Sequence, residues 1–352
     1  MAKRLFASLL ALLLLLVCLP VSADGGETAR GMITGIEEYE GAKTRQSWLD
    51  GALTDAAGRG AEWYAIALIK SDPTLDFTEY EAALRKTLLS GKITASATKL
   101  KCGLVLALLG SSPELVRETL DQAIGQNDQL MTWVFGLHLL NAGYAAAEHT
   151  AEDVAGLLLG RRNADGGWSV TGTVSDVDVT AMTVQALAPN RDVPGVAEAI
   201  DGALALLADR QLPDGGFQSY GKENAESAAQ VLLMLGCLGV TADEAGFAGG
   251  YAKLFDALVR FAAPSGGFCH ELGGDVNELA TSQVYLALSA HEAAENGKGS
   301  IFIPEVAPGS FVPTAQSGRF PFVILYVSIP TLAVAVAVFF FLRRRKKTAA
   351  KR

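Results

Sequence analysis

Two carboxylates within one helical turn carry the strongest chemical signal in this chain. Asp176-Val177-Asp178-Val179-Thr180-Ala181 sets Asp176 and Asp178 at the head of an apolar run. A carboxyl kept protonated by its surroundings can donate a proton, and it is the family resemblance given below that makes Asp178 with Asp176 a candidate acid. In the plainer reading Asp176 caps a helix, its oxygen accepting from the unpaired amides of the first turn, while Asp178 or Thr180 bonds to the preceding turn. Cys269-His270 invites a metal, with Asp275 close behind. Adjacent Cys and His side chains rarely converge on one tetrahedral ion, and no second Cys or His cluster lies nearby in sequence. The expectation there is no metal, with Cys269 a small buried hydrophobe and His270 a solvated turn residue. The sequence holds no Gly-x-Ser-x-Gly elbow, no phosphate-binding glycine loop and no His-Glu-x-x-His helix.

Internal repetition shows which elements must position these residues. Gly166-Gly167-Trp168, Gly215-Gly216-Phe217 and Gly266-Gly267-Phe268 recur at intervals of 49 and 51 residues. A helix-like stretch precedes each: Val154 to Arg162, Ala199 to Arg210 and Leu254 to Ala262. Asp176, Asn224 and Asn277 then open apolar helices as N-caps. Weaker copies of that second helix begin near Ala61, Thr98 and Leu130, interleaved with amphipathic stretches such as Thr78 to Leu89 and Pro113 to Ile124. A helix apolar on most faces is buried, so six such helices alternating with six amphipathic ones predict an inner ring wrapped by an outer one. The alternation that strands require is not seen. The fold class read from this pattern is all-α, an (α/α)6 toroid. Each Gly-Gly pair permits a turn with positive φ, and the aromatic after it packs between helices.

The ends read differently. Lys3 and Arg4 precede an apolar run from Leu5 to Leu19 and the small-residue site Val21-Ser22-Ala23, a secretory signal over 1–23. Residues 320–342 are apolar enough and long enough to span a bilayer, and Arg343 to Lys347 mark 343–352 as a basic cytoplasmic tail. Between these ends the toroid is expected over 24–295 and an extended linker over 296–319, where Pro304, Pro308 and Pro313 fall. The layout predicts an extracellular domain held at the cell membrane by one C-terminal transmembrane helix. Nine of the 29 basic residues lie in the two ends and all 38 acidic ones lie between, leaving 20 basic groups there and a net charge of −18. Such a surface repels phosphate backbones, which excludes nucleic acid as a partner. Cys102, Cys237 and Cys269 permit one disulfide at most, Cys237 with Cys102 or with Cys269.

The Gly-Gly-aromatic turns, the Gln211-Leu212-Pro213-Asp214-Gly215-Gly216-Phe217 segment and the Asp176 to Ala181 motif resemble prenyltransferase and squalene-oxidase repeats. These belong to the α/α-toroid superfamily of terpenoid cyclases and protein prenyltransferases. The likeness is strong over residues 150–290 and reaches back weakly to residue 48. The layout is similar to that of membrane-anchored surface proteins of Gram-positive bacteria. Class II terpene cyclases use Asp-x-Asp-Asp-Thr-Ala, whose middle acid protonates an alkene. Asp176 and Asp178 match its first two acids, and Val179 stands in place of the third. Protein prenyltransferases hold zinc with Asp, Cys and His from separate segments, a spacing that Cys269, His270 and Asp275 do not match. Thioester domains need a Gln that Gly236-Cys237-Leu238-Gly239 lacks. Transcobalamin-type carriers grip cobalamin between the toroid and a second domain, so the resemblance leaves cobalamin open only if a partner supplies that half.

In such a ring the N-terminal ends of the inner helices and the turns before them form one mouth. Here that rim carries Trp63, Trp168, Asp176, Asp178, Phe217, Glu226, Phe268, Asp275 and Glu278, candidates for binding a sugar, a cationic peptide or Ca²⁺. Carboxylates at those ends also complement the helix dipoles. With the acid triad incomplete and no metal cluster, the leading expectation is a non-catalytic toroid binding an extracellular ligand or partner. One alternative is an extracellular hydrolase of glycosidase type, whose two rim carboxylates need about 5 Å or about 6.5–9.5 Å between them. The other is a degenerate terpene-cyclase-like enzyme.

Overall fold

The computed structural model describes residues 25–126 and 128–314. The signal over 1–23, the transmembrane helix over 320–342 and the tail over 343–352 lie outside the described residues. Among the described residues no helix is long and apolar enough to cross a membrane.

The chain runs through α1 (Gly25–Tyr39), α2 (Arg45–Trp48, continued by a π-helical turn, Leu49–Leu53), α3 (Glu62–Ser71), α4 (Thr78–Leu89), α5 (Ser96–Leu109) and α6 (Pro113–Gln126). It continues through α7 (Leu130–Asn141), α8 (Ala151–Gly160), α9 (Val177–Leu187) and α10 (Val196–Asp209). A short antiparallel hairpin, β1 (Gln218–Ser219) and β2 (Lys222–Glu223), precedes α11 (Ala225–Leu238), α12 (Gly250–Val259) and α13 (Glu278–Glu295). Helices α3, α5, α7, α9, α11 and α13 each pack on the next, and α13 packs back on α3, so the ring closes. The fold is an α/α toroid. The outer helices lean on this ring: α4 on α5, α6 on α5 and α7, α10 on α9, α12 on α11, and α1 on α12 and α13. Sequence dictates the layering. Small and apolar residues on every face of α11 bury it from Ala225 to Gly236, whereas α10 buries one stripe, Val196, Ala199, Ile200, Ala203 and Leu207.

The three Gly-Gly-aromatic turns share one hydrogen-bond scheme. Gly166, Gly215 and Gly266 take φ of 102°, 94° and 101°, a region that side chains rarely enter. Asn163, Leu212 and Ala263 donate their amides back to the carbonyls of Gly167, Gly216 and Gly267 at 2.8, 2.9 and 2.8 Å. The carbonyls of Trp168, Phe217 and Phe268 then accept from the cap residues Asp176, Asn224 and Asn277 at 2.8, 3.3 and 2.8 Å. In the first and third turns Thr180 and Thr281 also accept from the Trp168 and Phe268 amides, each at 3.0 Å. Each turn is thereby latched to the inner helix that follows it.

Two features depart from the sequence reading. Helix α1 was not foreseen as an element. The stretch read as an extended linker, 296–319, is packed as far as Phe311, where the compact unit ends. Ile301 and Phe302 are fully buried, the Phe302 ring lying tilted with its centroid 4.3 Å from that of His138 at the end of α7. Lys298 Nζ donates to the Lys70 carbonyl at 3.2 Å, Lys70 pairs with Glu305 at 2.9 Å, and Phe311 donates to the Gly110 carbonyl at 3.2 Å. Lys70, Gly110 and His138 mark the C-terminal ends of α3, α5 and α7, so the segment straps that end of the ring. Prolines suggested an open chain, but burial of two large apolar side chains outweighs their stiffness.

Candidate functional site

The first turns of α9 and α11 lie side by side and bring Asp176, Asp178, Glu226 and Ser227 together. Asp176 spends both oxygens on structure: Oδ1 accepts from the Val179 amide at 3.1 Å, capping α9, and Oδ2 accepts from the Ser219 hydroxyl of the hairpin. Asp178 does not. Its Oδ1 is buried and makes no hydrogen bond. Burial pushes the Asp178 carboxyl up to about 7, and the charges of Asp176 and Glu226 add to the rise. The Ser227 hydroxyl and the His270 ring oppose it; Ser227 stands within reach but without a well-directed hydrogen bond. Glu226, itself buried, takes His270 Nδ1 on both oxygens at 2.9 Å. The His270 carbonyl accepts from the Ala225 amide at 3.2 Å, which ties the turn before α13 to the start of α11. The arrangement is a carboxyl that keeps its proton near neutral pH, beside groups that would stabilise its conjugate base.

The other rim candidates are dispersed. Trp168, Phe217 and Phe268 are buried in the wall between helices and not on the mouth. Trp168 Nε1 donates to the Leu158 carbonyl at 2.7 Å, and Phe217 meets Phe247 edge-on at 5.8 Å. Trp63 is covered by Lys101, whose Nζ lies 4.5 Å above the ring, and it sits 5.9 Å from Phe135. Asp275 is exposed in its turn. Glu278, at the start of α13, faces Glu40 after α1. Burial and the Glu278 charge push the Glu40 carboxyl up to about 7, against a Tyr64 hydroxyl that donates to it at 3.3 Å. Those two carboxyls are within hydrogen-bonding reach, nearer than the ~5 Å of a glycosidase pair. Cys269 and His270 turn to different partners: the Cys269 thiol donates to the Gly274 carbonyl at 3.0 Å while His270 holds Glu226. Among the described residues no group of three or more His, Cys, Asp or Glu is placed to hold a metal, and Cys102, Cys237 and Cys269 are all unpaired.

No family model matches the chain. It is 33% identical over 139 residues to a drimenyl diphosphate synthase of Streptantibioticus cattleyicolor, a match covering 38% of this chain and 25% of that protein. Among solved structures it is similar to an ent-copalyl diphosphate synthase from Streptomyces platensis, with 20% identity, a TM-score of 0.47, and 66% of this chain and 50% of that one covered. It is also similar to a type II terpene cyclase from Scytonema in complex with geranylgeranyl dihydroxybenzoate, with 14% identity, a TM-score of 0.47, and 77% and 98% covered. The chain is similar to class II terpene cyclases. The chain spans about a quarter of the curated relative's length. None of these likenesses is to a Gram-positive surface protein.

Against the cyclase motif, Asp178 holds the middle place and the buried Val179 fills the third with an apolar side chain. The site nevertheless contains three carboxyls, because Glu226 approaches Asp178 from α11. Sequence reasoning placed Glu226 on the rim but missed its pairing with Asp178, and it missed Ser219, Ser227, Glu40 and Tyr64. Ser227 carried a signal, since it follows Asn224 by the spacing that separates Val179 from Asp176. Glu40 and Tyr64 fall outside the clear repeats and carried none.

Proposed function

We propose that the chain is a terpene-cyclase-like proton donor to an alkene, with Asp178 as the acid. The observation that carries this is the Asp178 carboxyl, raised to about 7 with a buried oxygen that makes no hydrogen bond. A carboxyl held neutral at working pH is competent to give up a proton. Asp176 and Glu226 keep the proton on before reaction; Ser227 and His270 stabilise the carboxylate left afterwards. The proton forms a C–H bond at one alkene carbon and leaves a carbocation at the other, which closes on a second alkene of the same chain; a proton is lost at the end. The acidic surface favours a neutral polyene tail as the part that reaches Asp178. Extracellular display on a membrane anchor, read from residues 1–23 and 320–342, belongs to the same proposal.

A second reading is a toroid that binds such a ligand, or a protein partner, at this mouth without turnover. Val179 in place of the third acid favours it. The test incubates the full chain and Asp178→Asn in D₂O with farnesol, geranylgeraniol and their diphosphates, followed by mass spectrometry. A cyclised product carrying one deuterium, made by the wild type and not by Asp178→Asn, supports the enzyme. Binding without conversion supports the second reading, and neither binding nor conversion refutes an isoprenoid ligand altogether.

A further inference from the structure

A groove of about 610 Å³ lies between the loop 171–177 and the β1–β2 hairpin, a size within the roughly 300–1,000 Å³ of small-molecule sites. The end of α10 and the residues after it supply its third side. Asp176 borders the groove but Asp178 does not, so it is distinct from the acid site. Of the residues expected at the rim, Asp176 alone belongs to it.

The hairpin tip carries a residue that its own backbone disfavours. Tyr220 and Gly221 form a two-residue turn between the paired Ser219 and Lys222, with φ of 51° and 79°. A turn with positive φ at both central positions favours Asn-Gly, and a bulky side chain at the first of them is strained. Packing does not offset that strain, because Tyr220 is 80% exposed. Tyr220 lines the groove together with Val174, itself 71% exposed, and with Val177 and Leu212. An exposed aromatic held in a costly conformation at the edge of a cavity is what contact with a ligand would retain.

The polar lining selects the kind of ligand. Arg210 is the groove's cation, and it is already held by Asp165 at 2.8 Å and by the Ser175 carbonyl, so no free positive charge awaits a phosphate or carboxylate. Asp209 and Asp176 further disfavour an anion. Thr171, Thr173, Asp209 and Gln218 make no side-chain hydrogen bond among the described residues. They present hydroxyls, a carboxylate and an amide, which are acceptors and donors suited to hydroxyl groups. A hydrocarbon would strip water from them without replacing its hydrogen bonds. A sugar ring matches both parts of the lining, with one face of C–H bonds to lay on an aromatic ring and a rim of hydroxyls to bond sideways. We infer that this groove binds a neutral oligosaccharide, Tyr220 stacking on one sugar ring while Asp209 and Gln218 bond its hydroxyls. The inference does not depend on the isoprenoid reading.

Cellotriose, maltotriose, mannotriose and triacetylchitotriose are titrated separately into the full chain by calorimetry. At least one should bind with a Kd of about 1 mM or tighter. Tyr220→Phe keeps the ring and should bind that sugar as the wild type does. Tyr220→Asn should weaken it at least about tenfold while raising the midpoint of urea unfolding, because Asn suits the turn. Lost binding with a gain in stability cannot come from a damaged fold. Gln218→Ala, which removes one hydrogen bond, should weaken binding about threefold. Binding of none of the four sugars by the wild type, or unchanged binding in Tyr220→Asn or Gln218→Ala, overturns the inference. A lower urea midpoint in Tyr220→Asn overturns it too, since the ring would then be kept for packing. None of these outcomes bears on Asp178, whose test reads a cyclised product.

Discussion

Replacing Asp178 by Asn should stabilise the protein at neutral pH while removing the acid it is proposed to supply. The Asp178 carboxyl is raised from 3.8 to about 7 in the native state, chiefly by burial. Between those values the native chain holds a proton that the unfolded chain has released, so stability falls as pH rises from about 4 and is lowest above 7. Each unit of pKa difference is worth about 1.4 kcal/mol, so a difference of roughly three units sets an upper limit of about 4 kcal/mol. Asn carries no charge at any pH and escapes this penalty. The advantage of Asp178→Asn over the wild type should therefore be near zero at pH 4, grow through pH 6, and level off above pH 7. Urea unfolding of the full chain, followed by circular dichroism at pH 4, 6 and 8, measures it. The raised carboxyl of Glu40 has the same sign but is present in both proteins and cancels. A variant no more stable than the wild type at pH 8, or an advantage that does not change with pH, would refute the argument that burial holds this carboxyl neutral. A residue that costs stability where it stands is what a site selected for chemistry, and not for packing, would retain.

Four further outcomes follow from the packing. Gly266→Ala would place a methyl against the Gly35 carbonyl of α1 at a φ of 101°, so it should lose at least about 2 kcal/mol in urea unfolding. Gly172→Ala, at a φ of 83° with nothing within 4 Å, should lose only about 1 kcal/mol in the same assay. Thr281→Val keeps the shape but leaves the buried Phe268 amide without its side-chain acceptor, and a loss of about 1–3 kcal/mol is expected by the same measurement. Phe302→Ala should cost about 3–5 kcal/mol and speed tryptic cleavage at Lys298, because the strap loses the buried ring that packs against His138.

Much of the toroid was legible because its rules are local. A glycine with positive φ, an aromatic two residues on and an Asp or Asn cap a few residues later form one latch, whose hydrogen bonds stay within each turn and the inner helix it leads into. The same latch repeats at 163–180, 212–224 and 263–281, so three copies announce the helices they join. Apolar runs around Leu130 and Ala225 foretold the inner ring, since a helix with no polar face has nowhere to lie but inside. The role of Asp176 as a cap is likewise written in its spacing from Val179.

What the chain does with Asp178 is not local. Its neighbours Glu226, Ser227 and His270 come from α11 and the turn before α13, and they meet it only because the ring closes. For the turn aromatics the sequence allowed both packing between helices and a place on the rim, and it is the folding-back of the turns that buries Trp168, Phe217 and Phe268 between helices. Prolines made 296–319 read as a linker, and only the exposed ends of α3, α5 and α7 gave Ile301 and Phe302 a surface to cover. Sequence by itself determined the elements, their caps and their order, through hydrogen bonds and propensities that act over a few residues. The tertiary structure decided which carboxyl stays protonated, because burial and charge are set by side chains that arrive from other helices.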